Sequence, residues 1–278
     1  MDSALSCVNK KALLVTSLFL FVLTISSFLT PFISPYAEDL NGAIHLNIAG
    51  QSPSLQHWFG TDTAGRDMFT LTIYASISSI KVAFGVVFLS IMIGVPIGMI
   101  SAVSNKKIDN VVMRITDGFL AFPPLILPLF ITSVLGPSLN NVIIGISISW
   151  FPWYVRISRS QALLVMSTGY VSVSRSMGAG SFHIIKRHIL PNIYESIIIQ
   201  ATIDAGYAIL TSAGLSFIGL GARHPDVEWG LLITQARAQF INHWWEVFFP
   251  GMFIILTVVS FNIIGDELKL YINQKEKS

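Results

Sequence analysis

Asp204 is the residue with most to explain, because a carboxylate inside a long apolar stretch is costly unless it has partners or a task. It is the only acidic residue deep in any such stretch. Two readings stay open: Asp204 lines a water-filled path, or it is buried and hydrogen-bonded to a neighbouring Ser, Thr or Tyr. Thr211 and Ser212, further along the same stretch, are the polar side chains that could share such a path. A proton-coupled pump usually needs a chain of ionisable groups, so one Asp equips the protein poorly to power transport alone. The six histidines (His45, His57, His183, His188, His224 and His243) are scattered outside the apolar stretches at no ligand spacing, so no metal site is expected. Cys7 is the only cysteine, which excludes a disulfide framework and a Cys-rich metal site. No Gly-x-x-x-x-Gly-Lys-[Ser/Thr], His-Glu-x-x-His or Gly-x-Ser-x-Gly pattern occurs. No catalytic residue is expected, and no cofactor held by this chain.

The elements that must position these residues are membrane spans. Of the 278 residues, 53% are hydrophobic and 12% charged, about half the roughly 25% of an average soluble domain. Mean hydropathy is +0.66. This balance excludes a soluble enzyme and a disordered chain, and a net charge of +2 is too small for a nucleic-acid binder. A helix crosses the hydrocarbon with about 20 apolar residues. Such windows run over 12–33, 82–105, 118–155, about 193–220 and 248–264. The first is longer than the apolar region of a signal peptide, about 7–15 residues, and reads as a retained anchor. The third is broken at Gly136-Pro137-Ser138-Leu139-Asn140-Asn141 and reads as a hairpin of two spans.

The expected organisation is an all-α membrane protein with six transmembrane helices. A terminus at 1–11 and a first span at 12–34 precede an outer segment at 35–75. A core at 76–270 follows, with an inner loop at 165–192 and an outer loop at 221–247, and then a tail at 271–278. Placing the N-terminus inside leaves only Arg66, Arg223 and Arg237 outside, with Lys81 at the membrane edge and the remaining thirteen Lys and Arg inside. The positive-inside rule then gives N-in, C-in. Trp58, Trp229, Trp244 and Trp245 fall in the outer segments, where interface anchors are expected.

Two stretches are distinctive. The fifth span is rich in small residues (Ala201, Ala205, Gly206, Ala208 and Gly214 among them), which let helices approach closely in lipid, so a central, packed position is expected. In the inner loop, Tyr170, Val173 and Met177 fall at i, i+3 and i+7 on one helical face. Gly178 and Gly180 supply a stop, and Pro191 punctuates the start of the fifth span. A short amphipathic element tied to two spans suits a docking lever, and a solvated connecting loop is the plainer alternative.

At this loop the sequence resembles a known family. Gly178 followed by Ile189-Leu190-Pro191 is similar to the cytoplasmic loop motif of ABC-importer permeases. His57-Trp58-Phe59-Gly60-Thr61-Asp62 with Gly65-Arg66-Asp67 resembles the outer-loop signature of the second permease of dipeptide, oligopeptide and nickel importers. Ala121-Phe122-Pro123, Leu215-Ser216-Phe217-Ile218-Gly219, Trp229-Gly230, Phe249-Pro250-Gly251 and Asn262-Ile263-Ile264-Gly265-Asp266 follow in that family's order. One departure stands out: the family's Glu-Ala-Ala falls on Ser172-Val173-Ser174, so its acidic residue is missing.

The resemblance implies a type I ABC-importer permease in a bacterial cytoplasmic membrane. The path would lie between this chain and a related second permease, as a heterodimer surrounded by membrane lipid. Two ABC ATPase subunits would bind the ATP, and an extracytoplasmic solute-binding protein would deliver peptides, nickel or metal–chelator complexes. It implies an ATPase-coupling role for Tyr170, Ser172, Val173, Ser174, Met177, Gly178, Leu190 and Pro191. Gly65, Arg66 and Asp67 are the expected contact with the binding protein, with a structural pair between Arg66 and a nearby Asp as the alternative. A transporter or channel acting alone, and a membrane scaffold, remain the competing classes.

Overall fold

A computed structural model describes residues 2–275 of the 278, so Met1 and the last three residues of the expected tail lie outside the described residues. Among the described residues ten α-helices carry the fold: α1 (Asp2–Ile33), α2 (Met68–Val103), α3 (Lys106–Leu120), α4 (Ile126–Leu135), α5 (Leu139–Met166), α6 (Gly169–Ser176), α7 (Ser181–Ile184), α8 (Leu190–Phe217), α9 (Trp229–Ala236) and α10 (Trp245–Lys275). Among the described residues there is no strand, only an isolated bridge between Thr61 and Asp67. Four stretches are long and apolar enough to cross a membrane: 11–33, 68–103, 181–217 and 245–272. α5 is long enough too, but Asn140, Asn141, Arg156 and Arg159 dilute its apolar character.

The sequence windows and the helices differ in three places. α2 starts fourteen residues before its window, at Met68, because Asp67 caps it: the Asp67 carboxylate accepts from the Thr70 amide at 2.8 Å. Its first turns pack Met68, Leu71 and Ala75 into the core. The first arm of the expected hairpin is broken. Pro123 and Pro124 remove two backbone donors in succession, so α3 stops at Leu120 and only the short α4 precedes the Gly136 turn. Ser138 then caps α5 through the Asn141 amide at 3.1 Å. Lastly, Pro191 does not interrupt the fifth span. A π-helical turn at Ile185–Ile189 precedes it, closed by the Leu190 amide on the Ile185 carbonyl, and helix continues through it. The wide turn accommodates a residue that has no N–H to give and whose ring crowds the preceding turn.

The tightest contact in the bundle is α2 against α5. A Cβ at Gly94 would lie 2.5 Å from the Phe151 carbonyl oxygen, and one at Gly98 would lie 2.0 Å from Ser158 Oγ and 2.4 Å from the Val155 carbonyl oxygen. Gly94 and Gly98 form a Gly-x-x-x-Gly pair, the spacing that lets two backbones meet in lipid. α8 sits centrally, touching α2, α5, α9 and α10. Its Gly206 faces the Val258 backbone of α10. α1 lies at the periphery, packing Leu23 on the core and leaving Phe21, Phe28 and Phe32 exposed.

Replacing Gly98 with Val should force α2 off α5, at a cost of about 1–3 kcal/mol or more from overpacking. The expected outcome is a clear loss of detergent-extractable, monodisperse protein and a lower unfolding temperature. Wild-type behaviour on size exclusion would show that the contact is not needed.

Candidate functional site

The inner loop is built as a rigid projection. α6 ends in a Schellman closure: the Gly178 amide donates to the Arg175 carbonyl (2.9 Å) and the Ala179 amide to the Ser174 carbonyl (3.1 Å). Gly178 adopts φ +88°, the left-handed conformation this closure needs. Val171 is the residue that α6 buries, in a cluster with Met99, Tyr154, Ala162, Ile184, Ile189 and Ile193. α6 thereby joins, through its contact with α5, a cluster to which α2 and α8 also contribute. On the other side Tyr170, Val173 and Met177 are exposed, Met177 at 83%, and Phe182 joins them at 77%. Ser172 is exposed as well, while Ser174 Oγ lies 3.2 Å from His188 Nε2 and links α6 to the π turn. Leu190 and Pro191 are exposed on the first turn of α8.

Charge pairs fix the same end of the bundle. Asp109 of α3 takes two bonds from the Arg159 guanidinium of α5, both 2.5 Å, and one from Ser101 of α2 at 2.7 Å. Arg156, one turn before Arg159 on α5, pairs with Asp117 of α3. The Arg159 guanidinium holds the Asp109 carboxyl below its usual range.

The Gly65-Arg66-Asp67 triplet shapes the outer segment from within. Gly65 has φ +81°, and a Cβ there would lie 2.0 Å from the His45 carbonyl oxygen. Arg66 Nη2 lies 2.6 Å from Asp62, whose carboxylate also accepts from the amides of Ala64 and Arg66. Asp67, besides capping α2, lies 2.9 Å from His57 Nδ1, and its amide donates to Asp39 at 2.7 Å. The geometry of Arg66 is that of the structural pair. Asp67 is buried, so of the three only Arg66 offers a partly exposed side chain.

The second outer segment holds a residue the apolar windows do not reveal. Glu228 is fully buried and accepts from Ser212 Oγ at 2.5 Å and Ser216 Oγ at 2.6 Å. Ser212 is thus committed inside the bundle, and Thr211 beside it is half-buried. Burial pushes the Glu228 carboxyl well above its usual range, offset only in part by the two serines. The neighbouring Trp229 donates its indole N–H to the Thr72 carbonyl at 2.8 Å, and Trp245 donates to the Thr61 carbonyl at 3.0 Å. Both indoles were expected at the interface. They lie in the core instead, because a backbone carbonyl there satisfies each N–H. The sequence signal for this segment is Glu228-Trp229-Gly230, where Gly230 lets α9 meet Ala213 of α8.

Asp204 combines features of both its readings. Its carboxylate accepts from the Tyr154 hydroxyl at 2.7 Å and the Gln200 amide at 2.9 Å, and it also lines a cavity of about 370 Å³ beside the α3–α4 break.

A profile of the family described as binding-protein-dependent transport system inner membrane component matches residues 94–278. The chain is 41% identical over 265 residues to the probable D,D-dipeptide transport system permease of Escherichia coli K12, covering 95% of this chain and 88% of that one. It is 34% identical over 258 residues to the nickel transport system permease of the same organism, covering 93% and 91%. In fold it is similar to the inward-facing MetNI methionine ABC transporter, with a TM-score of 0.59 at 22% identity over 72% of this chain and 95% of that one.

Two pH responses follow. Asp109 has a depressed carboxyl, so its stabilisation is complete above the ordinary carboxylate range and is lost as acid titrates through the lowered value. Asp109→Asn should cost about 1.5–3 kcal/mol at neutral pH, the worth of hydrogen bonds to a charged group, and should remove that acid-labile part from a thermal-stability profile. Glu228 has the opposite sign. Its contribution is largest in acid, where the proton is bound in both states, and declines as pH rises through the unfolded value toward the raised one. Glu228→Gln should flatten that decline, and a profile identical to the wild type would refute the buried titration.

Proposed function

Since the chain belongs to the family of binding-protein-dependent transport system inner membrane components, we propose that it works as the second permease of a peptide-type importer, through the face α6 presents to the cytoplasm. It is a multi-pass protein of the bacterial cytoplasmic membrane and a permease component of an ABC importer. The proposed arrangement has six spans, counting the broken stretch from the last residues of α3 through α4 as one, with both termini inside. A related permease completes the path, two ATPase subunits dock below, and a binding protein delivers substrate above. The relatives named for dipeptides, glutathione and nickel make a small peptide or a comparably small complex the proposed cargo.

The observation that carries this reading is the exposed row Tyr170, Val173 and Met177 on a helix whose opposite side is locked into the bundle through Val171. An exposed apolar face on a rigid mount suits a partner's cleft better than solvent. Closure of an ATPase pair around α6 would pass through the π turn into α8 as rigid-body motion. The missing acidic residue at Ser172 leaves apolar contact, with Arg175, Lys186 and Arg187 around it, as the basis of docking. The outer segments would receive the binding protein, with Arg66 the accessible member of its triplet.

Gly178 gives a clean test, because a Cβ there meets nothing within 4 Å. Only the left-handed backbone resists a side chain, by about 1–2 kcal/mol. Gly178→Leu should reach the membrane at near wild-type levels yet lower uptake by about tenfold or more, with ATP hydrolysis persisting. Gly178→Asn, which tolerates that conformation, should be milder. Uptake unchanged in Gly178→Leu would sink the proposed role of α6.

A further inference from the structure

The cavity beside Asp204 points to the chemistry of what it meets; this step rests on the permease reading above. The cavity, about 370 Å³, opens where α3 gives way at Pro123 and Pro124. Phe119, Phe122, Trp150 and Trp153 supply aromatic wall, and Arg156 and Asp204 are its two charged lining residues. Arg156 pairs with Asp117, both side chains being about half exposed. Asp204 is 8% exposed and its two bonded partners, Tyr154 and Gln200, are both neutral. Among the described residues it forms no ion pair; the arginines nearest in sequence to Tyr154 pair with Asp117 and Asp109 instead.

A buried carboxylate is tolerated when it is hydrogen-bonded and matched by opposite charge. Asp204 has the hydrogen bonds and lacks the charge. Each of its oxygens keeps acceptor capacity after a single bond. A cation arriving through the cavity would supply that charge. A divalent metal fits poorly, since it wants several oxygen, nitrogen or sulfur donors and the lining offers one carboxylate with no His or Cys. An ammonium fits well: it donates to the carboxylate, and indole faces favour it by cation–π attraction. We propose that Asp204 is a transient docking point for a primary ammonium of the substrate, the N-terminus of a small peptide being the simplest case, with Trp150 and Trp153 flanking it.

The test uses the whole transporter in nanodiscs, without its binding protein, and radiolabelled Ala-Ala as the probe. Unlabelled Ala-Ala amide, which keeps the ammonium, should compete. N-acetyl-Ala-Ala, which lacks it, should compete at least about tenfold more weakly. Asp204→Asn should weaken Ala-Ala binding by about tenfold or more while co-purifying with the ATPase subunits at wild-type levels. Asp204→Glu keeps the charge and should keep the preference for the ammonium, so it carries the test if the Asn variant fails to assemble. Equal competition by the acetylated peptide, unchanged binding in Asp204→Asn, or no Ala-Ala binding up to about 10 mM would each overturn the amine assignment and leave the permease reading standing. Failure of the wild-type chain to co-purify with ATPase subunits would instead defeat that reading.

Discussion

Helices in a bilayer gain little by burying apolar side chains against one another, because the lipid is equally apolar. Close backbone approach and polar contacts have to do that work. Here the approach is made by Gly94 and Gly98, which bring α2 onto the Phe151–Ser158 stretch of α5 at a distance no Cβ could enter. The stretch of α5 held there is also where its polar side chains are spent. Tyr154 reaches Asp204 on α8, and Arg156 and Arg159 reach Asp117 and Asp109 on α3. Ser158 returns its hydroxyl to the Tyr154 carbonyl and packs over Gly98. A shift of α5 by a few tenths of an ångström would be felt at all of these contacts together, since interiors packed this closely transmit strain.

The outer segments follow the same economy of partners. Several buried polar groups there are matched to a donor or acceptor elsewhere in the chain: Asp67 to His57 and Asp39, Glu228 to Ser212 and Ser216, Trp229 to Thr72, and Trp245 to Thr61. These are the pairings expected where an unmet buried group costs about twice the net worth of a made hydrogen bond. They make the stretches between α1 and α2, and between α8 and α10, into folded caps.

Charge scarcity revealed the membrane setting, and charge-free windows located the apolar stretches, because both depend on composition summed over about 20 residues. The Gly136–Asn141 turn and the Gly178 stop were legible for a local reason: their backbone conformations are written in single residue types. Contacts across the fold were less so. Tyr154 and Asp204 are separated by 50 residues, and nothing in either stretch announces the other. Glu228 lies in a segment with the polarity of a loop, so its burial depends on how that segment folds back on α8. The extent of α2 was hidden because Lys81 ends the charge-free window, while the Ser and Thr of the first turns are buried inside the fold. The break at Pro123 was masked by the apolar run around it, whose composition favours a span although its backbone cannot form one continuous helix.

α8 gathers the consequences. With 28 residues it is about 42 Å long at 1.5 Å per residue, close to a bilayer with its headgroups. Its inner end is joined by the π turn to the element that carries α6, its middle holds Asp204, and its outer end clamps Glu228 through Ser212 and Ser216. Its backbone is helical throughout, no proline lies in it beyond Pro191, and of its two glycines Gly206 is packed against α10 while Gly214 lies in the last turn before the outer end. A helix without a break is stiff over this distance. A displacement applied at the inner end therefore reaches the outer cap without being absorbed on the way. One rod thus places the mount of α6, the cavity and the outer cap in mechanical series.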